Sequence, residues 1–234
     1  MKQFSSSYCF HKRVFKAFAL LFLIAFLGAV SFLGSACGNK INYFDYVSEL
    51  RSNIFLASDE NFALRVYSVK REIPYTADGV CGETATLTEV RLSAGSGESD
   101  CKIEFTVNGK KYGGDASYDN VKSEYSYSCS LDSASAREIP FTITFGDTVY
   151  ELTAKTVLTE NTLTPKNILN AVKTSEGTLF KNMTDKYGFK GEIYLRLIYE
   201  DAPYYYLGIV SREKKTVAFL LNAETGKILA KRES

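Results

Sequence analysis

Imidazole chemistry has a single source in this 234-residue chain, His11, and it lies ahead of a long apolar run. Everything after that run is free of histidine. Ser-His-Asp and Cys-His activation both need an imidazole near neutral pH, so nucleophilic catalysis of those kinds is nearly excluded. The thiols are Cys9, Cys37, Cys81, Cys101 and Cys129, with no C-x-x-C pair, which leaves zinc without its usual ligand set. No Walker loop and no G-x-G-x-x-G follows a strand pattern, so no nucleotide cofactor is expected. Carboxylates are plentiful, and a pair about 5–10 Å apart would suit glycan hydrolysis. Nothing in the sequence pairs them across strands. Asp115, Asp119 and Asn120 offer the oxygens calcium takes, without the spacing of a calcium loop, and read as turn residues. Tyr204, Tyr205 and Tyr206 form a candidate binding surface for peptide or glycan. They equally suit a strand with aromatics on both faces.

What positions these groups is decided first by residues 17–37, AFALLFLIAFLGAVSFLGSAC. Lys2, Lys12, Arg13 and Lys16 precede the run, and no acidic residue stands before Cys37. A basic start, an apolar middle and a small-residue exit are the parts of an export signal. The exit Gly34-Ser35-Ala36-Cys37-Gly38 resembles the lipobox of bacterial lipoproteins, with Gly34 where the family has Leu and Leu33 one step earlier. That resemblance implies that Cys37 is lipidated and becomes the first mature residue. Gly34 and Ala36 also suit ordinary signal peptidase, which would leave Cys37 as a bare N-terminal thiol. An uncleaved segment would sit near the lower end of the roughly 17–25 residues that span a bilayer. All three readings keep the basic residues inside and put the rest of the chain outside. A diacylated cysteine would hold it stably at the outer face of the cell membrane.

Setting aside the four leader bases leaves 24 basic against 27 acidic residues, a balance of about −3. Such a surface has no electrostatic pull on nucleic acid. Hydrophobic residues make up 45% of the chain, enough for real cores. With Cys37 acylated, Cys81, Cys101 and Cys129 are an odd set, allowing one bridge and a spare thiol. Cys81–Cys101 and Cys101–Cys129 are both candidate disulfides in an exported chain, and buried reduced thiols are the alternative.

Residues 41–57 read as extended, although Tyr43, Phe44, Val47 and Leu50 also fit helical spacing. Phe62, Leu64 and Val66 alternate with Ala63, Arg65 and Tyr67, the period of a half-buried strand. The run from Ile103 to Val107, Asn108-Gly109, and the return through Tyr112 make a hairpin, because Asn-Gly suits two positive-φ turn positions. Tyr125–Leu131 alternates without a break, and 141–145 with 149–154 make a second hairpin around Gly146-Asp147. Residues 94–100 are expected as a mobile loop and 113–120 as another. At Thr164-Pro165 the texture changes to an N-cap and a first-turn proline. Ile168, Leu169 and Val172 then follow at helical spacing, and Leu179 and Phe180 stand ready to continue the helix after Gly177. Strands resume from Ile193.

Within the last unit, the strand 204–210, the polar turn 211–215 and the run TVAFLLNAETGKIL resemble the PepSY-type domain of exported bacterial proteins. Asn222 stands where the family has Asp, and Thr225-Gly226 match its turn. The resemblance covers at most residues 164–232 and implies a regulator or inhibitor of an exported peptidase.

The expected architecture is mainly β. Residues 1–37 are a signal peptide with a lipidation site, 38–158 an antiparallel Ig-like β-sandwich, and 159–234 a small α+β unit of helix and hairpin strands. The expected function is a non-enzymatic binding or interaction lipoprotein without cofactor or metal. Its partners would be the membrane through Cys37 and an exported protein or wall component. A carboxylate-dependent glycan hydrolase is the remaining alternative.

Overall fold

The computed structural model describes residues 41–94 and 100–234. The leader, Cys37 and residues 95–99 of the expected mobile loop lie outside the described residues. A 3-10 turn, Tyr43–Tyr46, leads into β1 (Val47–Ser58). Asp59 Oδ1 then accepts the amides of Asn61 and Phe62 at 2.7 and 2.8 Å and turns the chain into β2 (Phe62–Glu72). After β3 (Thr84–Ala94) come β4 (Cys101–Val107) and β5 (Lys110–Asp115), joined by Asn108 and Gly109 at φ 51° and 75°. This is the expected Asn-Gly hairpin. The strands β6 (Ser117–Asp119) and β7 (Glu124–Cys129) form a second small hairpin, and β8 (Glu138–Phe145) returns as β9 (Thr148–Thr156).

Thr164 caps α1 (Pro165–Ser175), its hydroxyl accepting the Asn167 amide at 3.3 Å, with proline free to sit where no N–H is needed. The chain restarts as α2 (Gly177–Asn182) and makes a small ribbon, β10 (Thr184–Asp185) and β11 (Gly188–Phe189). Four strands close it: β12 (Gly191–Tyr199), β13 (Pro203–Ser211), β14 (Thr216–Asn222) and β15 (Ile228–Glu233).

The protein is mainly β. Thirteen strands of the described residues join one sheet, antiparallel at every pairing except β1 with β12, and nearly barrel-like. Strand β1 makes this possible because it changes partner along one edge. Its first half lies parallel to β12, with Leu50 opposite Leu195 and Arg51 opposite Arg196. Its second half meets β9 antiparallel, with Phe55 opposite Thr156, while β2 runs along its other edge throughout.

Neighbouring residues of a strand point to opposite faces, so the β1–β2 ribbon feeds two cores. Phe55, Phe62, Leu64 and Val66 join one cluster with Ile103, Phe105, Ile139 and Phe141. Ile54, Tyr67 and Val69 join the other, with Ile168, Leu169, Val172 and Phe180 of the helices and the inner side of β12–β14. The helical spacing read at 168–172 is the buried side of α1.

Two expectations change. Residues 113–120, read as a loop, carry the end of β5 and all of β6. Gly113 allows this, because a Cβ there would stand 2.4 Å from the Ile103 carbonyl oxygen, so a composition typical of loops serves close strand pairing instead. Tyr67, placed with the outward residues Ala63 and Arg65, is buried, because two guanidiniums roof it.

Candidate functional site

The site lies where β12 and β9 part company along the edge of β1. Asn53, fully buried, ties that fork. Its amide nitrogen donates to the carbonyls of Ala134 and Ala136 at 3.0 and 3.3 Å, and its oxygen accepts from Thr156 Oγ1 at 2.6 Å. Ladder bonds are missing at a fork, so a side-chain amide substitutes for them.

Beside it, Tyr67 lies between two guanidiniums, Arg51 at 4.4 Å and Arg91 at 5.5 Å from the ring centroid. Cations over an aromatic face are held by the ring quadrupole. Around this stack most charges are neutralised across strands. Arg196 Nε donates to Glu49 Oε2 at 2.8 Å, Arg71 pairs with Glu89, and Arg91 meets Glu124 at 3.3 Å. Two of these pairs are diagonal across neighbouring strands: Glu49 stands opposite Tyr194, two residues from Arg196, and Arg91 stands opposite Ser126, two residues from Glu124.

Arg51 is the exception. It has no ion pair among the described residues. Its Nη1 reaches the Leu197 carbonyl only at 3.5 Å, and its buried Nε has no partner. Burial holds its pKa below the usual arginine value. The carboxylates of Glu49 and Glu89 act on it only from a distance, each being ion-paired to another arginine.

Arg51 lines a groove of about 510 Å³, together with the exposed Arg65, Ser58, Tyr199 and the exposed Glu200, over walls of Leu56 and Ile198. A second hollow of about 490 Å³ lies on the β3–β7–β6 side. There three cations face four carboxylates, and Arg71, Arg91 and Lys122 are each ion-paired. The two hollows therefore differ in kind: one is charge-satisfied, the other has unpaired guanidinium to offer.

The residues singled out in the sequence are dispersed. Tyr205 belongs to the core, its hydroxyl donating to the Leu163 carbonyl at 3.3 Å and its pKa pushed up to about 12 by burial. Tyr204 and Tyr206 point to the other side of β13. Tyr204 bonds Asp201, and Tyr206 stacks on Tyr194 with centroids 5.9 Å apart. Asp119 Oδ1 accepts the amides of Val121 and Lys122, the turn geometry expected of it, while Asp115 ends β5. Among the described residues no three His, Cys, Asp or Glu side chains gather as a metal site. Arg51 escaped notice because one arginine in an apolar strand carries no motif. The usable signal was Arg65 and Tyr67 alternating on one face of β2.

Cys81, Cys101 and Cys129 are free thiols, Cys101 buried and the others half-buried. Burial pushes the Cys101 thiol up to about 11. A folded pKa raised above the unfolded value of about 8.5 makes the thiol form stabilising at lower pH. That contribution is lost as pH rises through about 11. A thiol-exchange reagent at pH 8 is therefore expected to modify Cys101 at least tenfold more slowly than Cys81 or Cys129, until denaturant is added. Equal rates at all three would contradict this placement.

No family model, curated protein or solved structure matches the chain, so its site is known by its own geometry.

Proposed function

We propose that this protein is an exported binding module, moored by lipidated Cys37 at the outer face of the bacterial cell membrane, which takes its ligand without turning it over. The observation that carries the binding reading is Arg51: a half-buried guanidinium with no ion pair among the described residues, opening into a groove of about 510 Å³. The groove has a mixed lining, with Leu56 and Ile198 beside Arg51 and Arg65, which offers a ligand both apolar contact and charge. In the same reading, strands β1–β9 make an Ig-like sandwich, and α1–α2 with β10–β15 make a small α+β unit.

The mooring is tested by Cys37→Ser. The unaltered chain is expected in the membrane fraction, labelled in intact cells by a membrane-impermeant amine reagent. The variant is expected to carry no fatty acid and to leave that fraction. A chain that stays unlabelled until cells are broken would overturn the reading.

A second reading, regulation of an exported peptidase through the C-terminal unit, is favoured by the turn after β14. Asn222 Oδ1 accepts the Glu224 and Thr225 amides and the Thr225 hydroxyl at 2.9–3.0 Å. An Asp oxygen would accept the same three bonds, so Asn222 fits the PepSY-like pattern. Added chain that leaves the proteolysis of a co-exported peptidase unchanged would count against it.

A further inference from the structure

The geometry points to a ligand class for the Arg51 groove: an extended peptide held by its free C-terminal carboxylate. This rests on reading the groove as the ligand surface and goes further by naming what fills it. Guanidinium and carboxylate are planar, matched groups, and a carboxylate is the counter-ion that Arg71, Arg91 and Arg196 already have. Arg51 and Arg65 both line the groove, neither is ion-paired among the described residues, and Glu200 is the sole acid there. The groove lining itself thus holds two guanidiniums against one carboxylate.

The orientation of Arg51 favours an approach from the groove. Tyr67 covers one face of its guanidinium, and Nη1 leans toward the Leu197 carbonyl. Nε is sealed, while Nη2 has no partner and is not buried with it. Nη2 is therefore the nitrogen left for a ligand oxygen, with Arg65 a second cation on the same lining.

The rest of the lining decides what should carry the carboxylate. Leu56, Ala57, Ala63 and Ile198 are apolar, and Ser58 supplies the only aliphatic hydroxyl. A sugar polymer, with a hydroxyl on most carbons, would leave many of them without a partner. A peptide end puts an apolar side chain directly beside its carboxylate, which fits a wall of leucine and isoleucine next to two guanidiniums. The volume, about 510 Å³, suits a few residues of chain.

The test uses the full chain in detergent micelles and two probes, acetyl-Ala-Ala-Leu and the same peptide as its C-terminal amide, titrated by calorimetry. The acid is expected to bind at least tenfold more tightly than the amide. Arg51→Gln should bring the acid to the level of the amide, and Arg51→Lys should recover part of the difference. Arg65→Gln changes an exposed side chain, so it reports even if Arg51→Gln fails to fold, and should weaken the acid at least threefold. Equal binding of acid and amide overturns the inference, as does an acid Kd weaker than about 10 mM. So does inorganic phosphate that binds in an Arg51-dependent way while the peptide does not. Any of these would leave the Cys37 labelling result standing, so the two failures are separable.

Discussion

Replacing Asn53 by alanine is expected to destabilise the protein by roughly 3–5 kcal/mol and lower its melting temperature by roughly 10 °C, although no apolar contact is lost. The side chain makes three bonds across the fork, two to carbonyls of the β7–β8 connection and one from the Thr156 hydroxyl on β9. Removing it takes a partner from four polar groups inside the protein, the Ile54 amide that donates to its oxygen included, each loss unfavourable by about 1–3 kcal/mol if water cannot reach it. Asn53→Asp separates donation from acceptance. It keeps an oxygen for Thr156, loses both N–H donors and adds a buried charge, so it should fold no better than the alanine variant at pH 7 and recover somewhat in acid. Urea unfolding of the three proteins measures this. An alanine variant within 1 kcal/mol of the parent would mean that the fork is held by something other than Asn53.

Phe55→Ala should be at least as severe, about 3–5 kcal/mol, because the ring is completely buried. The shape of the transition matters more than its midpoint. Phe55 belongs to the cluster that holds Ile103 and Phe141, whereas its neighbour Ile54 belongs to the helix-side cluster, and both sit on one strand. Emptying one core should therefore loosen the other. Phe55→Ala and Phe180→Ala, which lie in different clusters, are expected to shift one common unfolding transition rather than split it. Two separate transitions, each moved by only one of the substitutions, would show that the clusters melt independently.

Local signals in the chain were readable, and non-local ones were not. Asn108-Gly109, Gly146 and Thr164-Pro165 each dictate a conformation over a few residues, and each stands where the spacing placed it. The alternation of Phe62, Leu64 and Val66 reports a face that one strand buries by itself. The partner change of β1 has no such signature. Its pairing with β12 is set by residues far downstream, and both faces of the ribbon are buried, which blurs the period of two. Gly113 misled for a physical reason: the freedom that suits glycine to loops also lets two strands approach where a Cβ would collide. The groove was invisible for the same reason as the fork. Arg51, Arg65 and Tyr199 meet only once β1, β2 and β12 lie side by side.

The parallel pairing of β1 with β12 carries a consequence for synthesis. Ser48 and Ile193, 145 residues apart, are bonded neighbours, so an early strand must wait for one of the last. A ribosome delivers the N-terminal end first, and until β12 has emerged the leading half of β1 offers unpaired amides and carbonyls to any strand nearby. Contacts of such long separation slow folding, and unpaired edges invite pairing with other chains. A nascent chain halted before residue 191 would thus be the aggregation-prone form, and completing the chain from β12 onward is what seals it.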